Sequence, residues 1–262
     1  MVEDKGATVD LNLTGRRVII TGGSSGIGRA TALAFAAEGA RVGIVSRDVD
    51  GMTRTCELAA EQGFELVTAA ADVTDAEALE SAFASLAQQL GGLDSLVHCA
   101  AISGPVGRTL ADVSVDEIRQ TIDINVVGAF LVARTAQPLL ALATLPTFVM
   151  IGSDSAFVAS PDMVVYNASK AAIVHMARSL AVEWESAGIR VNTVSPSIVD
   201  TPMSRADLGI GDEGFASVDF PVLTADDVAR GVLYLSSSAS RGVNGHSLLM
   251  DFGYSARSSF PA

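Results

Sequence analysis

The sequence predicts an α/β fold, a doubly wound and mostly parallel sheet with helices on both faces. Three observations predict it. Short apolar runs such as Val18-Ile19-Ile20 carry no polar alternation, so both faces of those strands are buried. Each run is followed by a stretch of helical period, often alanine-rich. The first strand opens directly into a glycine-rich turn, Thr21-Gly22-Gly23-Ser24-Ser25-Gly26-Ile27-Gly28, that leads into a helix.

In chain order, residues 1–12 form a loose polar lead-in. Residues 17–21 form a strand and 26–38 a helix closed by Gly39. A strand over 42–45, a helix over 49–62 and a strand over 66–70 follow. Thr74 N-caps a helix over 75–90. Residues 93–99 are the fourth strand, and 114–142 make one long helix bent near Pro138. A strand over 147–152, a helix over 164–186 and a strand over 190–194 come next.

From 198 to 222 the rhythm breaks into a long loop with two prolines and a short helix, placed to act as a lid. A helix over 226–237 and a strand over 247–250 end the pattern. Right-handed crossovers between such units give a Rossmann-like sheet. A closed barrel would carry its phosphate turn near the seventh or eighth strand, not the first. No repeat or linker interrupts the chain, so residues 1–262 read as one domain.

The net charge of −13 and pI near 4.5 exclude a nucleic-acid binder, which needs a basic face. They leave room for an anionic cofactor held by a few local donors. No apolar run reaches the ~18 residues of a membrane span, and the first residues lack the order of a secretory signal. Cys56 and Cys99 are too few for a disulfide framework or a zinc site. A soluble cytoplasmic protein is expected.

Within the turn, Gly22 lets the chain leave the strand sharply, while Gly26 and Gly28 let backbone approach a pyrophosphate and the helix pack on the sheet. The helix N-terminus offers free N–H groups to the phosphates. A P-loop would need Gly-Lys-Ser/Thr, and Gly28 is followed by Arg29-Ala30. The same residues also match the Gly-x-Ser-x-Gly elbow of hydrolases, with Ser24 as nucleophile and His246 as base. A purely structural turn is the third reading.

The chain has only two lysines, and Lys170 stands four residues after Tyr166, so both share one face of a helix. Chance would place a lysine so scarce at that offset about 2% of the time.

These motifs, in this order, resemble the short-chain dehydrogenase/reductases in their simple single-domain form, over nearly the whole chain. The resemblance implies NAD(P)-dependent interconversion of a carbonyl and a secondary alcohol. It makes Asp72-Val73 the adenine-holding pair, and His98-Cys99-Ala100-Ala101 the counterpart of a strand-four Asn-Asn-Ala-Gly motif, with Ala100 beside the cofactor. It assigns Asn125 to a water linking Lys170 with solvent, and Ser153, thirteen residues before Tyr166, to the catalytic serine. Pro196-Ser197, Ile198, Val199 and Thr201 would hold the nicotinamide end. Cys99, Ala101 and Ser197 depart from the pattern without touching a proton-moving group, and His98 and His175 read as structural.

An alcohol needs a base for its hydroxyl proton as hydride leaves carbon. A phenol titrating near ~10 is a poor one. A neighbouring ammonium and an oxidised nicotinamide are expected to lower that value, making Tyr166 the acid/base and Lys170 its partner and ribose ligand. Ser153 would orient the substrate oxygen, and Asp154, Ser197 and Met203 would complete the substrate contacts. At the end of the second strand, Ser46 stands where NAD-specific sites place an acid, and Arg47 follows. That pair suits a 2′-phosphate, so NADP(H) is the expected cofactor and NAD(H) the alternative. The lid supplies Met203, Leu208, Ile210, Phe215 and Phe220, which suit a neutral, largely apolar, medium-sized substrate. From the resemblance the two long helices would build a homotetramer or homodimer. The rival classes are a catalytically silent nucleotide-binding scaffold and the Ser24 hydrolase.

Overall fold

The computed structural model describes residues 10–211 and 214–257, so most of the expected lead-in, and two residues of the expected lid, lie outside the described residues. The first unit is strand β1 (Arg17–Thr21) and helix α1 (Gly26–Ala37), the second β2 (Arg41–Ser46) and α2 (Val49–Glu61). Next come β3 (Leu66–Ala70), α3 (Ala76–Leu90) and β4 (Ser95–His98). Then α4 (Val115–Ile122) and α5 (Gly128–Leu140) precede β5 (Thr147–Ile151), α6 (Val164–Glu183) and β6 (Arg190–Pro196). Beyond β6 lie β7 (Val199–Asp200), α7 (Pro202–Asp207), β8 (Leu223–Thr224), α8 (Ala225–Ser236) and β9 (Ser247–Met250).

Seven strands form one sheet in the order β3-β2-β1-β4-β5-β6-β9, every neighbouring pair parallel. The order reverses between β1 and β4, and the crevice at the carboxyl ends of those strands is where such sheets bind ligands. Consecutive residues of β1 explain the absent alternation. Val18 and Ile20 pack under α1 and α8 with Phe35 and Val228, whereas Ile19 faces α3 and α5 with Phe83 and Val132. Both faces are dry, as a sheet wound on two sides requires.

Three boundaries differ from expectation, each for a local reason. Asp75, not Thr74, caps α3 by accepting from Ala78 N at 3.0 Å; the Thr74 hydroxyl instead donates to Asp72 Oδ1 at 2.8 Å. The helix expected over 114–142 is interrupted by a π-turn over Asp123–Val127, and Pro138 sits inside the last turns of α5. A π-turn inserts one residue into the helix, and the break falls at Asn125, which bonds Ile102 and Ser169, rather than at the proline. The loop expected over 198–222 is pinned at its base, where β7 and β8 pair with each other in parallel.

Candidate active site

β1 delivers the glycine turn to the mouth of the crevice. Gly22 has φ +73° and Gly26 φ +49°, both in the left-handed region that a side chain resists. Space forbids side chains as well. A Cβ on Gly22 would meet Ala100 N at 2.7 Å, and one on Gly28 would fall 2.1 Å from Gly22 O. The backbones of the turn, α1 and the end of β4 therefore close on each other only as glycine. Ser25, at the N-cap of α1, makes no side-chain cap bond, so the first-turn amides of α1 stay available to a phosphate. Arg29 props the turn from below, donating to Ser24 O and to Thr55 Oγ1.

At the end of β2, Ser46 Oγ donates to Ser24 Oγ at 3.0 Å and accepts from Asp48 N. Asp48 caps α2, its carboxylate accepting from Gly51 N at 2.9 Å. Arg47 is 63% exposed and makes a loose 3.4 Å pair with Asp72. Two hydrogen bonds from Thr74 and the nearby Arg47 hold Asp72 below the usual carboxylate range.

One cavity of about 950 Å³ runs from this end to the other side of the switch point. The cofactor side collects Gly22, Ser24, Ser25, Gly26, Ile27 and Gly28, then Ser46, Arg47, Asp72, Val73 and Ala100. The same cavity collects Ser153, Asp154, Tyr166 and Lys170, with Pro196, Ser197, Ile198, Val199 and Met203, and Thr201 beside Gly26 of the glycine turn. Of the lid residues expected on the substrate, Ile210 and Phe215 do not line this cavity, and Asn125 stands behind its wall. Its amide donates to Ile102 O and accepts from Ile102 N, both at 2.8 Å, and it also donates to Ser169 Oγ. Asn125 thereby ties the π-turn both to the strand end where Cys99 replaces an amide and to the helix of Tyr166.

Lys170 is 4% exposed and donates to Ile151 O at 2.9 Å, with Nζ 5.6 Å from the centre of the Tyr166 ring. Burial pulls its ammonium down to about 8. Burial pushes Tyr166 up to about 12, with the Asp154 and Asp207 carboxylates adding to the rise and a Ser153 hydrogen bond opposing it. Ser153 Oγ also donates to Asp154 Oδ1 at 3.0 Å. Burial raises the Asp154 and Asp207 carboxyls above their ordinary range.

Sequence reasoning missed three groups on this cavity. Asp207, on α7, accepts from Ser103 at 2.8 Å and so ties the lid to the loop after β4. The 158–163 loop and the Asp251–Tyr254 turn also line it, and no motif marked either. Among the described residues the Ser24 elbow finds no histidine base. His246 precedes β9 at the amino end of the strands, opposite the crevice, and His98 is bonded to Thr21.

Residues 22–255 match the family model described as Enoyl-(Acyl carrier protein) reductase. The mitochondrial borneol dehydrogenase of Lavandula x intermedia is 34% identical, over 95% of this chain and 94% of its own. A short-chain dehydrogenase from Burkholderia cenocepacia, solved in complex with NADP, superposes with a TM-score of 0.83 at 32% identity, covering 94% of this chain and 99% of its own. Carveol dehydrogenase from Mycobacterium avium, solved with NAD, gives 0.86 at 29% identity over 93% and 99%. The chain belongs to the short-chain dehydrogenase/reductase family of oxidoreductases. That family uses nicotinamide coenzymes, and these two relatives carry one of each kind, which leaves the choice to this chain's own residues. Among the described residues no helix is long and apolar enough to cross a membrane.

Proposed function

We propose that this chain is an NADP(H)-preferring, single-domain cytoplasmic enzyme that interconverts a carbonyl and a secondary alcohol, with Tyr166 as the acid/base. The observation that carries the reading is the shared cavity: Ser153, Tyr166 and Lys170 line the same space as the glycine turn. The nicotinamide coenzyme, when bound, supplies or takes the hydride. Asp72-Val73 would hold its adenine, the glycine turn its pyrophosphate, and Lys170 its nicotinamide ribose. Ser153 directs the substrate oxygen toward the Tyr166 hydroxyl. A phenol protonated at neutral pH is suited to donate to a carbonyl oxygen, and Lys170 beside it would steady the phenolate left behind. Relatives named for borneol and carveol support an alcohol as the reduced partner.

Ser46 and Arg47 support NADP(H), because the nearest acid, Asp48, is committed to capping α2. The lid over 198–222, with Met203, Leu208 and Phe220 on the cavity, supports a neutral, largely apolar, medium-sized substrate. Exposed Val127, Phe130, Val164 and Val182, on the α4–α5 stretch and α6, support assembly into a homotetramer through those helices.

A panel of ketones with NADPH, followed by nicotinamide absorbance, tests the reading. Tyr166→Phe is expected to lower turnover by about 10²–10⁴-fold with NADPH still bound. Full turnover by that variant would remove Tyr166 from its role. Absence of turnover in the parent, with NADPH bound, would favour the silent scaffold.

A further inference from the structure

The chain leaves the sheet at Met250, whose carbonyl accepts from Ser197 N at 3.0 Å, at the carboxyl end of the edge strand where the cavity opens. Asp251, 7% exposed, then gathers the following turn around itself. One carboxylate oxygen accepts from Gly253 N at 2.9 Å, the other from Ser255 N at 2.9 Å and from Ser255 Oγ, and its carbonyl accepts from Tyr254 N. To close this turn, residues 252 and 253 both take left-handed backbone, Phe252 at φ +54° and Gly253 at +77°. Glycine does so freely, but a bulky aromatic does not. Nor does burial in the protein itself offset the strain, since Phe252 is 54% exposed. The ring lines the cavity on the same side as Ser153 and Tyr166, together with Tyr254, and with Met203, Leu208 and Phe220 of the lid.

Strain kept at a cavity wall by an aromatic ring left half exposed points to a ligand that covers the ring. Resting on the carbonyl reductase reading above, we propose that Phe252, backed by Tyr254, is a specificity-determining wall that selects bulky, cyclic, neutral ketones and alcohols over short linear ones. A rigid ring system covers the exposed face of Phe252 while its oxygen sits at Ser153 and Tyr166. The Asp154 and Asp207 carboxylates beside Tyr166 repel an anionic substrate, which keeps the occupant neutral.

The test compares a decalone with butanone. Phe252→Gly is expected to lower the decalone/butanone ratio of kcat/KM about tenfold, mainly through KM, as loss of one apolar wall implies. Relief of strain should leave Tm unchanged or about 2–4 °C higher. Leu145, at φ +57° and outside the cavity, is the control: Leu145→Gly relieves similar strain and should keep the ratio. An unchanged ratio in Phe252→Gly, or a fall of several degrees in its Tm, overturns the proposal. A second arm does not need turnover. With NADP⁺ present, decalone should raise the Tm of Tyr166→Phe but not of Phe252→Gly; a shift kept in Phe252→Gly overturns the wall. No turnover in the parent, with the shift lost only in Phe252→Gly, would instead sink the reductase reading and support the wall.

Discussion

Arg47 reaches the mouth of the crevice with its guanidinium mostly in water and only a loose contact to Asp72. A 2′-phosphate would give it a charge-assisted partner stronger than that contact. Arg47→Ala should therefore raise KM for NADPH about tenfold while moving KM for NADH less than twofold. Steady-state kinetics with both coenzymes decide it, and an unaltered preference would end the NADP(H) assignment. Residue identity alone located this arginine, because the end of a strand places side chains by a fixed offset. The proton affinity of Tyr166 was not legible in that way. A lysine four residues away and an oxidised nicotinamide point to a lowered value, whereas burial in the cavity acts the other way and pushes the phenol up to about 12. Desolvation is set by everything packed around the hydroxyl, and the charge of Asp207, from a helix distant in sequence, adds to the rise.

Among the elements, the π-turn between α4 and α5 does the most to position the site. Asn125 satisfies both backbone groups of Ile102 and reaches Ser169, which itself donates to Tyr166 O at 2.8 Å. Asn125→Leu strands these partners at a buried junction, which is expected to lower Tm by about 5 °C. NADPH affinity should weaken with it, since the Ala100–Ile102 stretch lines the cavity. A thermal melt with a coenzyme titration checks both, and a variant that keeps its Tm would remove the bracing role. Helix existence was legible from periodicity throughout this stretch. Its interruption was not, because a one-residue insertion leaves the apolar pattern almost unchanged and is favoured by a contact with residue 102.

At the scale of the whole molecule, stability in acid depends on a histidine at the centre of the sheet. His98 is 3% exposed and bonded through Nδ1 to Thr21 Oγ1 at 2.7 Å; burial pulls it down to about 3. Between that value and its ordinary pKa near 6.5, the unfolded chain binds a proton that the native chain refuses, so stability falls as pH falls. Urea unfolding should show His98→Asn losing about 2–3 kcal/mol less than the parent between pH 6.5 and 4.5. Equal losses would show that His98 titrates normally.

The sequence by itself determined the alternation of strands and helices, the glycine turn and the common face of Tyr166 and Lys170. These follow from backbone sterics and from periods of a few residues, which any segment carries locally. Only the tertiary structure decided that burial raises the Tyr166 phenol, that Asn125 braces Ile102, that Ser103 holds Asp207 of the lid and that Phe252 lines the cavity. Each of those depends on desolvation or close approach between segments far apart in the chain, and neither exists until the layers pack.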